Sequence, residues 1–143
     1  MIVMIIVDAK GLIVGRLASF VAKKALLGED VVVVNSEQAV FSGSPKDVIE
    51  KYKHLYEMGT PRYGPFLFRR PDLFLKRTFR SMLPWKKARG REAYKKIKCY
   101  VGVPEQFKNA EFTELTLKKF TQLPTSKRIS VGEVCEVLRS WRS

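Results

Sequence analysis

Two uninterrupted apolar stretches, IVMIIV at 2–7 and VVVV at 31–34, flank an amphipathic segment, and they restrict the fold more than anything else in the chain. A strand with one wet face alternates apolar and polar side chains. A strand without that alternation is covered on both faces, which is the situation of a parallel sheet between layers. The segment between them, 15–27, puts Leu17, Phe20, Val21 and Ala25 on one side and Arg16, Ser19 and Lys23 on the other, with Gly28 placed to end a helix. Together these form a β-α-β unit whose right-handed crossover makes the two strands parallel. The expectation is an α/β fold in a single domain, 1–143, because 143 residues leave no room for two substantial cores.

The rest of the chain fits that frame. Ser44-Pro45-Lys46-Asp47 reads as a helix start, with Ser at the N-cap, Pro in the first turn and an acid at the third position; the helix runs to about Tyr56 and stops before Gly59-Thr60-Pro61. Three prolines and Gly64 make 60–71 an extended or irregular loop. A helix over 72–83 ends at Pro84, Trp85 opens the next turn, and a second helix covers 87–97. Residues 98–101 form a third strand, and Val40-Phe41 is a weaker fourth. Ser130-Val131-Gly132-Glu133 is a capping box, after which Val131, Val134, Cys135, Leu138 and Trp141 follow the helical spacing of a core stripe.

Charge divides the chain in two. Residues 60–98 carry 13 basic side chains and 2 acidic ones, whereas the other 104 residues carry 14 and 12, so nearly all of the net +13 sits on one stretch. Solvated faces usually mix signs, since solubility needs only modest net charge. A one-sided concentration that includes seven arginines fits a polyanion, because the planar guanidinium grips phosphate in a bidentate manner. Nucleic acid is the first partner to consider and an anionic membrane surface the second. The candidates are Arg62, Arg69, Arg70, Lys76, Arg77, Arg80, Lys86, Lys87, Arg89, Arg91, Lys95, Lys96 and Lys98.

Their spacing is informative. Lys76, Arg77 and Arg80 stand at i, i+1 and i+4 and are expected to share a face; Lys87, Arg91 and Lys95 align at i, i+4 and i+8. Like charges so placed oppose a helix by roughly 0.2–0.5 kcal/mol per pair, a cost that a row of phosphates would offset. Tyr63, Phe66, Phe68 and Trp85 lie among the cations and either stack on unpaired bases or pack against the scaffold. Gly90 inside a helix costs about 1 kcal/mol relative to Ala, which suits a backbone that approaches something closely, or else it marks where the helix begins. Reversing Arg77 and Arg80 to Glu is expected to weaken RNA binding and leave the fold intact.

Other chemistries find little support. Cys99 and Cys135 have no Cys-x-x-Cys spacing and no flanking His, so they read as buried core thiols of a reduced, cytoplasmic protein. His54 is the only histidine, without a partner for a metal site or a nucleophile pair, and the carboxylates are scattered. No cofactor is expected. The start MIVMIIV lacks a basic leader and a cleavage site and is too short to span a bilayer. The turn DAKGLIVGR at 8–16 follows a strand and opens a helix, the setting in which backbone N–H groups hold phosphate, but it matches neither the dinucleotide nor the P-loop spacing.

The segment RTFRSMLPWKKARGREAYKKIKCYVGVP, 77–104, resembles the large-ribosomal-subunit L-thirteen family through Met82-Leu83-Pro84, Gly90-Arg91 and Ile97-Lys98-Cys99-Tyr100-Val101-Gly102. Asp8-Ala9, Gly15-Arg16-Leu17-Ala18-Ser19, the strand through Asn35, Phe41-Ser42-Gly43 and Lys51-Tyr52 look like its first half. Ser81 stands where the family usually has Gly, and Cys99 where it usually has Val or another small apolar residue. The match fades after about 107. The short connection into Val31, with Gly64-Pro65-Phe66 and Arg69-Arg70-Pro71, is similar to the archaeal and eukaryotic branch. The resemblance implies a three-layer α/β/α domain with a small, mostly parallel sheet of about four strands and a basic helical extension. It implies a structural, non-catalytic part of the large subunit, in contact with its ribosomal RNA and with other ribosomal proteins, without a membrane or small-molecule partner. The competing readings are a free regulator that binds messenger RNA and an α/β enzyme holding a nucleotide at the 8–16 turn.

Overall fold

The computed structural model describes residues 4–60, 62–64, 68–112 and 127–141. In chain order the elements are β1 (Met4–Asp8), α1 (Val14–Leu26), β2 (Asp30–Val34), a 3-10 turn (Ser36–Gln38), β3 (Val40–Ser42), α2 (Pro45–Glu57), α3 (Pro71–Ser81), α4 (Ala88–Lys95), β4 (Ile97–Cys99), a second 3-10 turn (Glu105–Phe107), β5 (Arg128–Ser130) and α5 (Val131–Trp141). Ile2, Val3, Pro61, Pro65, Phe66 and the side chain of Trp141, all part of the sequence expectations, lie outside the described residues.

The expected β-α-β unit forms. β1 and β2 pair in parallel with Val7 opposite Val33, and β4 adds in parallel on the far side of β2 with Val31 opposite Ile97. Because side chains alternate across a strand, the valine run feeds two cores at once. Ile5, Val7, Val31, Val33 and Ile97 face the larger one, with Leu17 and Val21 of α1, Leu75 and Phe79 of α3, and Val134 and Leu138 of α5. Ile6, Val32 and Val34 face the smaller, where Tyr100, Val103, Phe107 and Ala110 cover them. This double coverage is why neither run alternates with polar residues.

Val40-Phe41 is a strand but does not join the parallel sheet. Asn35 adopts a left-handed conformation with φ 56°, and the 3-10 turn that follows swings the chain past the end of β2. β3 therefore pairs antiparallel with β5, Val40 opposite Ser130 and Ser42 opposite Arg128, leaving three strands in the parallel sheet among the described residues. The start of α5 is tied to the same corner by Val131 N–H donating to Ala39 O at 2.8 Å.

Most helix ends follow their sequence signals; α3, expected over 72–83, spans Pro71–Ser81 and so stops two residues short of Leu83. Gly28, at φ +94°, ends α1, and the Ser130 box closes reciprocally: Glu133 N–H donates to Ser130 Oγ at 3.2 Å and Ser130 N–H to Glu133 Oε2 at 3.4 Å. Ser44 is the N-cap of α2, yet its side chain makes no capping bond; Pro45 at the first helical position marks the start, since its fixed φ suits a helix and it has no N–H to leave without an intrahelical partner. α4 is shorter than expected because Ile97, fully buried, belongs to β4.

Candidate nucleic-acid interface

α3 and α4 are joined by a tight turn whose backbone is satisfied internally. Leu83 N–H donates to Arg80 O at 3.1 Å, Trp85 N–H to Leu83 O at 2.8 Å and Lys87 N–H to Pro84 O at 2.9 Å, while the Leu83 side chain is buried in the main core. Gly90 sits directly on the Pro84 carbonyl, so close that a Cβ there would collide with backbone. The close approach foreseen for Gly90 is therefore made by the protein's own chain.

Above this turn Trp85 and Tyr94 meet edge to face, ring centroids 5.1 Å apart at 87°. The Arg80 guanidinium lies 4.1 Å from the Trp85 ring and Lys76 Nζ 4.7 Å from the Tyr94 ring, so residues one helical turn apart on α3 clasp the aromatic pair. Arg91 Nε donates to Trp85 O at 3.1 Å. Cation–π attraction of this kind, worth about 0.5–1 kcal/mol at exposed sites, offsets part of the repulsion between like charges. It also pushes Trp85 toward a packing role. Reversal of Arg80 to Glu would therefore remove an internal contact, and Arg80 is not the charge-only handle that its spacing suggested.

Around the clasp Lys86, Lys87, Arg89 and Arg91 are exposed. Among the described residues no carboxylate forms an ion pair with Lys76, Arg80, Lys86, Lys87, Arg89 or Arg91. The six stand on α3 (Lys76 and Arg80), in the turn (Lys86 and Lys87) and at the start of α4 (Arg89 and Arg91).

The other seven candidates are dispersed. Arg77 lines a cleft on the α2 side with Lys51, Tyr52 and Phe68, and its charge also lies within electrostatic reach of Tyr94, as that of Arg80 does. Lys95, Lys96 and Lys98 edge a cavity of about 620 Å³ on the second sheet face, together with Asp30 and Glu92. Lys96 Nζ donates to Gly28 O at 3.3 Å and so covers the end of α1. Arg70 is bound to Asp72 Oδ2 at 3.0 Å, Arg69 lies 5.0 Å from the Tyr56 ring, and Arg62 lies 5.6 Å from the exposed Tyr63 ring. Sequence reasoning did not count Lys51 among the cations of the site, because its helix is otherwise mixed in sign.

In the 8–16 turn Gly11 N–H donates to Gln38 O at 3.2 Å, Leu12 N–H to Ala9 O at 3.0 Å and Lys10 N–H to Asp8 Oδ1 at 3.0 Å, so these three amides are engaged within the protein; Ile13, the N-cap of α1, makes no side-chain capping bond. The carboxyl ends of the strands, where doubly wound enzymes bind ligands, are crossed by two hydrogen bonds. Asn35 Nδ2 donates to Asp8 Oδ1 at 2.9 Å, and Gly102 N–H to Glu37 Oε2 at 3.1 Å across the sheet end. Cys135 is buried in the main core, whereas Cys99, also expected in the core, is half-buried against it; burial pushes both thiols up to about 12, which keeps them protonated, and His54 is exposed on α2.

Comparison with known proteins agrees with this geometry. The family model described as Ribosomal protein L13 matches residues 3–106. The chain belongs to that family. Similar proteins named "Large ribosomal subunit protein uL13" occur in Methanococcoides burtonii, 47% identical over 96% of this chain and 99% of the relative, and in Methanosarcina barkeri, 46% identical over the same shares. A third, from Methanocaldococcus jannaschii, is 45% identical over 94% of this chain and 97% of the relative. These L13 relatives are archaeal, in keeping with the archaeal-like loop before α3. The family motif at 82–102 coincides with the welded turn, the Gly90 contact and the Gly102 bond that seals the sheet end.

Proposed function

We propose that this chain is a structural component of the large ribosomal subunit, binding large-subunit ribosomal RNA and supporting subunit assembly, with no catalytic task. The observation that carries the reading is the concentration of cations around the α3–α4 turn that have no carboxylate partner among the described residues, in a family whose archaeal members are named as large-subunit proteins. Phosphate contacts supply affinity and RNA shape supplies selectivity. Lys76, Arg80, Lys86, Lys87, Arg89 and Arg91 form the centre of the interface; Arg62, Arg69, Arg70, Arg77, Lys95, Lys96 and Lys98 extend it along neighbouring RNA segments. Other large-subunit proteins adjoin it, and its place is the ribosome of the cytoplasm. No helix among the described residues is long and apolar enough to cross a membrane.

The test is sedimentation of a lysate through a sucrose gradient, with the protein detected by mass spectrometry before and after a high-salt wash. Stoichiometric recovery in the large subunit supports the reading. Recovery only at the top of the gradient overturns it.

A further inference from the structure

α2 contains no fully buried residue and rests mainly on α5 and β5, and this shallow seating leaves a cleft of about 330 Å³ between α2 and α3. Its floor is aromatic. Tyr52 and Phe74 have ring centroids 4.9 Å apart, and Phe41 braces both from behind at 5.6 and 6.1 Å. Phe68, 43% exposed, stands at the rim just before α3. One wall carries Lys51 and the other Arg77, and among the described residues no carboxylate lines the cleft. Thr78 Oγ1 and Ser81 Oγ donate to Phe74 O and Thr78 O, so their lone pairs remain to accept bonds.

We propose that this cleft receives one unstacked nucleobase of the bound RNA, its ring against Phe68 and the Tyr52–Phe74 floor and its flanking phosphates on Lys51 and Arg77. The proposal rests on the RNA-binding reading above and adds a site to it. Charge complementarity selects the occupant: cations stand on both walls of an aromatic slot, and a base carries a π face between two phosphates. The volume lies at the lower end of ligand pockets, roughly 300–1,000 Å³, so a single base is a better fit than a longer stacked segment. An apolar protein segment would leave both cations without a counter-charge.

The experiment compares the full chain with Phe68→Ala and Phe68→Trp in filter binding to deproteinised large-subunit RNA of Methanococcoides burtonii over a range of salt. Stacking releases no counterions, so Phe68→Ala should weaken binding by about fivefold to a hundredfold at an unchanged salt slope, and Phe68→Trp should restore it. Unchanged affinity in Phe68→Ala, beside steep salt-dependent binding of the parent chain, overturns the base site and leaves the broader reading standing. A loss that Phe68→Trp does not restore also overturns it, since the ring would then matter for shape alone. If the parent chain shows no salt-dependent binding, both readings fall.

Discussion

Gly90 shows how one residue sets the posture of the basic surface. A Cβ at that position meets the Pro84 backbone, which cannot move without opening the α3–α4 turn. Gly90→Ala is therefore expected to lower stability by about 1–3 kcal/mol, the usual range for overpacking, although Ala is the better helix former. A denaturant titration checks the sign: a stabilised variant would mean that the turn is free to spread. Charge is better tested away from the clasp. Lys86→Glu with Arg89→Glu changes two exposed side chains without ion-pair partners among the described residues. The pair should keep the melting temperature and make the salt slope of RNA binding shallower by about 0.7–0.9 for each phosphate that is no longer neutralised. An unchanged slope would move the interface elsewhere.

Among the elements, those set by local chemistry or by the right-handed crossover were legible in the sequence, and the pairing of β3 with a distant strand was not. α1, α3 and the Ser130 box follow from periodicity, a Gly stop and a reciprocal cap, all encoded within a few residues. Ser130→Ala removes the bond to Glu133 N–H and should cost about 1 kcal/mol, measurable as a lowered denaturation midpoint. The partner of β3 was not legible, because it is set by the left-handed Asn35 some residues earlier and by β5 some ninety residues later. The site shows the same split. Which residues are cationic was plain, and their concentration pointed to a polyanion. That Lys76 and Arg80 grip an aromatic pair while Arg77 also lines the cleft beside α2 depends on how α3 is seated, and no spacing rule carries that.

The molecule as a whole joins a near-neutral scaffold to a strongly basic stretch, and two measurements address it at that scale. If about six phosphates are neutralised, log K should fall with log salt at a slope of about −4 to −5; a slope near zero would contradict an electrostatic interface. Alkaline stability reports on the core. Each thiol is raised from 9.0 to about 12 in the folded protein. The unfolded chain therefore ionises first, and the stability linked to both thiols is intact below pH 9 and is lost as pH rises toward 12. Denaturation midpoints between pH 8 and 11 should fall more steeply for the parent chain than for a variant with Cys99→Ala and Cys135→Ala. The weld between Pro84 and Gly90 bears on speed. A basic segment that must order itself on contact collides unproductively most of the time, whereas one already fixed in shape can convert a larger share of its encounters into capture. On the proposed interface, the internal contact that costs this helix a side chain would let a folding RNA be caught while its own structure is still forming.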